Sequence, residues 1–304
     1  MKILLVEDSV IDRRKVEACL KEWGLEYVVA ESGTEAATIL DQPDPPSMAL
    51  LDWVLPGMDG IELCRKIRQM GMRDAYIYTV MLTSKNRKQD LLTAMEAGAD
   101  DYLAKPVNAS ELRARILVGK RIVELQQSLK FAATHDVLTD LMNRSEILVA
   151  LEREFSRSGR EGRPAVIILA DIDHFKQTND SMGHAAGDAV LKEVARRLKM
   201  DLRPYDVVGR YGGEEFLIIL PGCELQVGMR RANEIRALVA KSPIATAFGT
   251  TTAAVSMGVT VSCGNTDHTV ADVLHQADMA LYSAKKNGRN RVEAFTPAAD
   301  RAKV

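Results

Sequence analysis

Apolar residues recur along the first 118 positions in two alternating rhythms. Short β-rich runs lie at Ile3 to Val6, Tyr27 to Ala30, Met48 to Leu51, Ile77 to Leu82 and Asp101 to Ala104. Between them, apolar residues keep helical spacing, as in Ile61, Cys64, Ile67 and in Leu91, Leu92, Met95. Five strands alternating with helices predict an α/β unit, a doubly wound five-stranded parallel sheet covered on both faces. From Ser110 a helical pattern runs without Pro or a tight-turn pair to Thr134, with Ser110 the expected N-cap. Within it Ile122, Leu125, Leu129 and Ala132 keep a/d spacing, flanked by Lys120, Arg121, Glu124 and Lys130. That stretch fits either a seam between two copies of the chain or an amphipathic helix lying on its own sheet.

Beyond residue 135 the rhythm changes. A helix through Leu148, Leu151 and Phe155 precedes Ala165 to Ala170, an unbroken apolar run of strand length. A second helix carries Val190, Leu191, Val194 and Leu198. Asp206 to Val208 and Phe216 to Leu220 flank Gly212-Gly213, which predicts a tight hairpin, because glycine supplies positive φ without steric cost. A helix over Gln226 to Leu238, a strand over Ala253 to Val261, a helix over Val270 to Lys286 stopping at Asn287-Gly288, and a short strand over Val292 to Phe295 complete a second α/β domain. The expected organisation is a first domain over 1–118, a connecting helix over 110–134 and a second domain over 135–304.

Composition narrows the class. The 304 residues suffice for two domains, and 27% charged with 46% apolar residues reads as soluble and globular. A net charge of −2 supplies no basic field for nucleic acid, and no run approaches a membrane span. The opening Met1 to Asp8 has too short an apolar run for a signal peptide and turns acidic at once. Cys19, Cys64, Cys223 and Cys263 lack the close pairing of zinc or redox motifs and suit thiols of a reducing cytoplasm.

Polar residues gather at the carboxyl ends of the first strands, where sites form in such sheets. Glu7 and Asp8 follow the first, Asp52 the third, Thr83 the fourth and Lys105-Pro106 the fifth. Three converging carboxylates repel one another unless a divalent cation neutralises them. A lysine opposite and a hydroxyl nearby suit a phosphorylated carboxylate. With Pro56, Gly60 and Tyr102, this half resembles a response-regulator receiver domain over its whole length. The resemblance implies a flavodoxin-like fold and phosphoryl transfer from a sensor histidine kinase to Asp52. It also implies Mg²⁺ held by Glu7, Asp8, Asp52 and the Val54 carbonyl, with Thr83 and Tyr102 as switch residues and Lys105 on the phosphate.

In the second domain the apolar run ends abruptly in Asp171-Ile172-Asp173-His174-Phe175-Lys176. A buried strand that delivers carboxylates at its end places metal ligands rigidly, and Asp171 and Asp173 share one face by alternation. Glu214 and Glu215 at a hairpin tip are, taken alone, solvated charges; facing Asp171, they become candidate ligands. Together with Asp136 to Arg144, Asn179-Asp180, Gly183-His184, Gly187-Asp188, Gly212 to Phe216 and Ala284 to Arg291, these residues resemble a GGDEF diguanylate cyclase domain in its Gly-Gly-Glu-Glu-Phe form, over about 135–296. The resemblance implies a mixed sheet like that of the cyclase and polymerase palm, and condensation of two GTP into cyclic di-GMP with release of two pyrophosphates.

Each implied role has its chemistry. Asp171, the Ile172 carbonyl and Glu214 are hard oxygen ligands for Mg²⁺ or Mn²⁺ on the GTP phosphates, and Glu214 or Glu215 can take a proton. Lys176, Lys285 and Arg289 supply positive charge for the triphosphate. Asn179 and Asp188 match guanine's edge, with Phe175 and His184 at the substrate site or, for His184, in a purely structural turn. Asp173 is expected to cap or orient rather than to ligate, and His135, His268 and His275 to be surface or packing residues. Arg203-x-x-Asp206 matches the family's inhibitory product site, its further basic residue being Arg230 or Arg231. Departures are Glu214 for the commoner Asp, Asp140 where Gly is frequent, and Glu7-Asp8 for a double Asp. The expected activity is thus a phosphorylation-controlled cyclase, productive as a homodimer that brings two sites face to face. The alternative is a catalytically silent domain that only binds GTP or cyclic di-GMP; a DNA-binding regulator lacks a basic recognition helix.

Overall fold

A computed structural model describes residues 1–71, 76–84, 88–262 and 269–296. Cys263 and His268 lie outside the described residues; Cys19, Cys64 and Cys223 are free thiols. The chain divides into two compact units, one over Met1–Lys130 and one from Phe131 onward.

The first unit runs β1 (Lys2–Val6), α1 (Val10–Glu22), β2 (Glu26–Ala30), α2 (Gly33–Leu40), β3 (Met48–Asp52), α3 (Gly60–Gly71), β4 (Tyr78–Thr83), α4 (Lys88–Glu96), β5 (Asp101–Ala104) and α5 (Ala109–Thr134). Its five strands are parallel in the order β2-β1-β3-β4-β5. Strand alternation sorts the core. Leu4, Val6, Ala49 and Leu51 pack with residues of α2, α3 and α4 on one face, while Ile3, Leu5, Met48 and Leu50 pack with residues of α1 and α5 on the other. Each fully buried Leu or Ile of these strands contributes about 1.5–3 kcal/mol.

Asn108, not Ser110, opens α5: its Oδ1 accepts from the Ser110 and Glu111 N–H groups at 2.9 and 3.2 Å. Both residues have a capping oxygen, but only Asn108 lies two and three residues ahead of the unpaired amides. The helix buries Leu112, Ile116, Gly119 and Val123; beyond Val123 its apolar residues Leu125, Leu129 and Phe131 are exposed. Ile122 still packs partly against the core of the first unit, so the a/d row leaves the sheet after its first member.

The second unit runs α6 (Arg144–Glu161), β6 (Ala165–Ile172), α7 (Phe175–Met182), α8 (His184–Met200), β7 (Val207–Gly212), β8 (Glu215–Leu220), α9 (Leu225–Ala240), β9 (Ile244–Thr246), β10 (Gly249–Thr251), β11 (Val255–Ser262), α10 (Val270–Lys286) and β12 (Val292–Ala294). The main sheet has the order β12-β11-β6-β8-β7 and is mixed: only β11 and β12 are parallel. All eight residues of central β6 are buried, because helices cover both faces. Val166, Ile168, Ala170 and Ile172 join the core beneath α8 and α9, and Ala165, Ile167 and Leu169 the core beneath α6 and α10.

Helix α10 lies directly on β11 at Gly258, where an added Cβ would stand 2.1 Å from the Ala277 carbonyl oxygen. Its N-terminus is fixed by a capping box between Thr269 and Asp272. The short hairpin β9–β10 and the separate helix α7 go beyond the sequence reading. Alternation and run length carry little signal over elements of three residues, and α7 has no apolar stripe of its own.

Candidate active site

The carboxyl end of β6 is the scaffold of the site. Asp171 is buried one residue before the strand ends at Ile172 and pairs in register with Glu215 at the start of β8. Gly212 pairs with Glu215, so the two-residue turn is Gly213-Glu214 rather than the glycine pair, with Gly213 at φ 46°. The turn therefore projects Glu214 at its tip, a position a longer loop would leave loose. After β6 the chain swings through His174, left-handed at φ 58°, into α7. Asp171, Ile172, Phe175, Lys176 and Glu214 line one cleft of about 330 Å³, joined by Lys285 from the last turn of α10 and Arg289 from the loop beyond it. Gln177 and Asp180 of α7 also line it. Asp180 stood inside a recognised motif, but only the helical turn of α7 brings it and Gln177 to the cleft.

Electrostatics in the cleft centre on Asp171. Burial pushes its carboxyl above the ordinary range, opposed by the Lys285 ammonium, whose Nζ stands 2.7 Å from Asp171 Oδ2. Burial also raises Glu215, followed by the charge of Asp171. A buried carboxylate that has drawn a lysine onto itself, with Glu214 beside it and the Ile172 carbonyl adjacent, is a donor set of hard oxygens that fits a divalent cation. Asp173 also lines the cleft, and both its carboxylate oxygens are engaged. Its Oδ1 accepts from Ser256 Oγ at 2.6 Å and its Oδ2 from the Asn290 N–H at 2.9 Å.

Asn179 and Asp188 lie outside the cleft lining, on α7 and α8. Asn179 lies against Gly187, the residue before Asp188: a Cβ at 187 would stand 1.9 Å from Asn179 Oδ1. His184 is exposed at the first residue of α8. His135 stacks on Phe131, with ring centroids 4.4 Å apart, which makes it a packing residue.

The hairpin is braced from outside the sheet. Arg210 Nε donates to the Gly213 carbonyl at 2.9 Å, and its Nη1 lies 3.1 Å from both Asp136 carboxylate oxygens. Asp136 Oδ1 also accepts from the Thr139 N–H and Oγ1. Burial opposes, but these hydrogen bonds and the Arg210 charge hold the Asp136 carboxyl below its ordinary range. Asp140 sits at φ 55°, which explains why glycine suits that turn. Asp136 and Arg210 are 74 residues apart, so no local spacing reveals their pairing.

In the first unit Glu7, Asp8 and Asp52 bring carboxylate oxygens within 4.8 Å of one another. Lys105 Nζ reaches Glu7 Oε2 at 2.7 Å and Asp52 Oδ2 at 2.8 Å. Burial pushes the Glu7 carboxyl up; burial alone would lower Lys105, but its hydrogen bonds to Asp52 and Glu7 outweigh that and raise it. One ammonium against three carboxylates leaves a local excess of negative charge, the condition a dication satisfies. Gly60 lets α3 close over the site, since a Cβ there would stand 2.1 Å from the Asp52 carbonyl oxygen. Thr83 is buried at the end of β4, whereas Tyr102 and Val54 are exposed.

At the second unit's edge, Asp206 Oδ2 accepts from the Arg203 N–H at 2.8 Å and stands 3.4 Å from Arg231 Nη2. Arg231, not the exposed Arg230, is therefore the basic residue beside this pair. The Arg203 guanidinium points instead to Tyr205 Oη at 3.0 Å.

Among the described residues, no helix is long and apolar enough to cross a membrane. A family model described as "Diguanylate cyclase, GGDEF domain" matches residues 133–291, and one described as "Response regulator receiver domain" matches residues 3–117. The response regulator PleD of Caulobacter vibrioides is 33% identical over 302 residues, covering 96% of this chain and 65% of the relative, so the chain spans just under two thirds of that protein. Among solved structures, the coiled coil and GGDEF domain of DgcB from Caulobacter crescentus, in complex with c-di-GMP, superposes with a TM-score of 0.55 at 31% identity over 61% of this chain and 97% of that one. Diguanylate cyclase SiaD of Pseudomonas aeruginosa, in complex with its activator SiaC, does so with a TM-score of 0.52 at 35% identity over 68% of this chain and 78% of that one.

Proposed function

The chain belongs to the GGDEF diguanylate cyclase family and carries a response-regulator receiver domain ahead of the cyclase domain, and from that premise we propose that it condenses two GTP into cyclic di-GMP under control of Asp52 phosphorylation. The observation that carries this reading is the cleft at the end of β6. A buried Asp171, a tip carboxylate Glu214 and the cations Lys176, Lys285 and Arg289 share one small space.

In this reading Asp171, the Ile172 carbonyl and Glu214 hold Mg²⁺ or Mn²⁺. When bound, the cation lowers the pKa of the attacking 3′-hydroxyl and offsets charge on the transferring phosphorus. Arg289, Lys176 and Lys285 bind the triphosphate, Arg289 through its planar fork. Asn179 and Asp188 face guanine, whose N1–H and N2–H find acceptors that adenine would leave unpaired. The 3′-hydroxyl of one GTP gives its proton to Glu214 or Glu215 as its oxygen forms a bond to the α-phosphorus of the other, and the α–β phosphoanhydride bond breaks to release pyrophosphate. Because each cleft has one ligand set, ring closure needs two copies of the chain with clefts facing.

The receiver supplies the control. Asp52 accepts the phosphoryl group from a sensor histidine kinase with Glu7, Asp8 and the Val54 carbonyl on Mg²⁺, and Lys105, Thr83 and Tyr102 respond to it. Phosphorylation then shifts the population toward the productive dimer. Cyclic di-GMP, the ligand in the DgcB complex, is both product and inhibitor, held by Arg203, Asp206 and Arg231.

The test is cyclic di-GMP formation from GTP and Mg²⁺ with and without beryllofluoride. Beryllofluoride is expected to raise both dimer content and turnover, and Asp52→Asn to abolish that response. A dimeric, activated protein that binds GTP but does not turn it over would instead establish the silent binding module.

A further inference from the structure

Resting on that reading of the cleft, we propose that Asp173 is a positioning residue which ties the cation-holding end of β6 to the loop that presents Arg289. The loop between α10 and β12 has an improbable course. Gly288, Arg289 and Asn290 take φ values of 115°, 60° and 43°, three left-handed residues in succession, two of them with side chains. Such a course persists only where the surroundings over-determine it.

The ties are on both sides of Asn290. Its N–H donates to Asp173 Oδ2 at 2.9 Å, and Arg236 Nη1 of α9 donates to the Asn290 carbonyl at 3.2 Å and to its Oδ1 at 2.7 Å. Asp173 is itself immobilised. Its N–H donates to the Ala254 carbonyl at 2.9 Å, and its other carboxylate oxygen accepts from Ser256 Oγ at 2.6 Å. Asp173 adjoins Ile172 in the chain, and Asn290 adjoins Arg289. One side chain thus sets the distance between the carbonyl expected on the metal and the guanidinium expected on the phosphates. Ile172, Asp173 and Arg289 all line the cleft, so the tie is part of its wall.

Hydrogen-bond chemistry separates positioning from metal ligation. An asparagine at 173 keeps both ties: its Oδ1 accepts from the Asn290 N–H, and its Nδ2 donates to Ser256 Oγ, whose hydroxyl turns to accept. An alanine keeps neither. A metal ligand would behave otherwise, because the neutral amide of asparagine is a poor substitute for a carboxylate on a divalent cation.

The experiment measures affinity for 3′-deoxy-GTP with Mg²⁺, which cannot be cyclised, alongside turnover of GTP, in Asp173→Ala, Asp173→Asn, Arg289→Ala and the Asp173→Ala/Arg289→Ala pair. Asp173→Ala is expected to weaken binding roughly tenfold, the loss of one charge-assisted contact, while Asp173→Asn stays within about twofold. The double variant is expected to bind no worse than Arg289→Ala alone, since Asp173 acts through Arg289. If Asp173→Asn fails as badly as Asp173→Ala, or if the two losses multiply, the positioning role is overturned. Wild-type protein that binds the analogue while Asp173→Ala binds it equally well overturns this inference alone. Wild-type protein that neither binds it nor forms cyclic di-GMP overturns the reading of the cleft and this inference with it.

Discussion

Gly187 carries more of the site than its size suggests. The Asn179 amide occupies the space where any side chain at 187 would begin. Gly187→Ala is therefore expected to displace Asn179, raising KM for GTP about tenfold while leaving melting of the fold nearly unchanged. Steady-state kinetics beside a thermal melt would separate the two. The carboxylates and cations of the cleft were legible in the sequence through the motifs that resemble the GGDEF family, which fall at the end of β6, the start of α7, the hairpin turn and the end of α10. What Asp173 holds was not, because Ser256 and Asn290 lie 83 and 117 residues from it, and the contact of Asn179 with Gly187 depends on how the chain turns between α7 and α8. His184 shows the reverse: a residue in a matched motif that the fold leaves exposed.

At the scale of elements, the hairpin's aim depends on the Arg210–Asp136 brace. Both side chains are largely buried, with 19% and 23% exposure, so Asp136→Asn is expected to cost about 1.5–3 kcal/mol. The Asp136 carboxyl lies below its ordinary 3.8, so its contribution is complete above that pH and is lost as pH falls through the lower folded value. Urea unfolding of wild type and Asp136→Asn is expected to differ most near neutral pH and to converge in acid. A gap that widened toward low pH would contradict the brace. A second element contact sets the other wall of the cleft. Gly258→Ala would push α10 off β11 at a cost of about 1–3 kcal/mol and draw Lys285 away from Asp171, read by melting temperature and GTP affinity together. Most strand and helix positions were readable from the apolar pattern to within one or two residues, but β7 runs four residues past Val208, and α7, β9 and β10 were not read. The α5 cap was not, since Ser110 and Asn108 offer the same chemistry and only the backbone chooses between them.

On the scale of the whole molecule, the proposed control requires two chains to meet. Leu125, Leu129 and Ala132 along α5 are exposed and, on the proposed reading, would form the seam. Leu125→Glu with Leu129→Glu is expected to lower the dimer fraction under beryllofluoride, and activity with it, without altering 3′-deoxy-GTP affinity. Mass measurement by light scattering checks the first, and unchanged mass would remove α5 from the dimer. The two-unit organisation could be read from the change in hydrophobic rhythm near residue 135. The Glu7, Asp8 and Asp52 cluster was equally legible, since a parallel sheet gathers its strand ends at one edge. If Glu7, Asp8 and Asp52 hold Mg²⁺ as proposed, removing it with a chelator is expected to destabilise the receiver unit by mass action and to spare an Asp52→Lys variant that carries its own counter-charge.

The 2.7 Å contact of Lys285 with Asp171 makes the cleft, on the proposed reading, an ion exchanger. With no nucleotide present, the lysine is the internal counterion of a buried carboxylate. A cation bound together with its triphosphate would take over the neutralisation of Asp171 and free that ammonium for the phosphates. Free metal alone would have to compete with Lys285 for Asp171, so on this reading loading favours the metal–nucleotide pair. Lys285→Ala is expected to invert the preference, binding Mn²⁺ more tightly in the absence of nucleotide and GTP more weakly in its presence. Titration calorimetry of the two ligands would read both halves of that exchange.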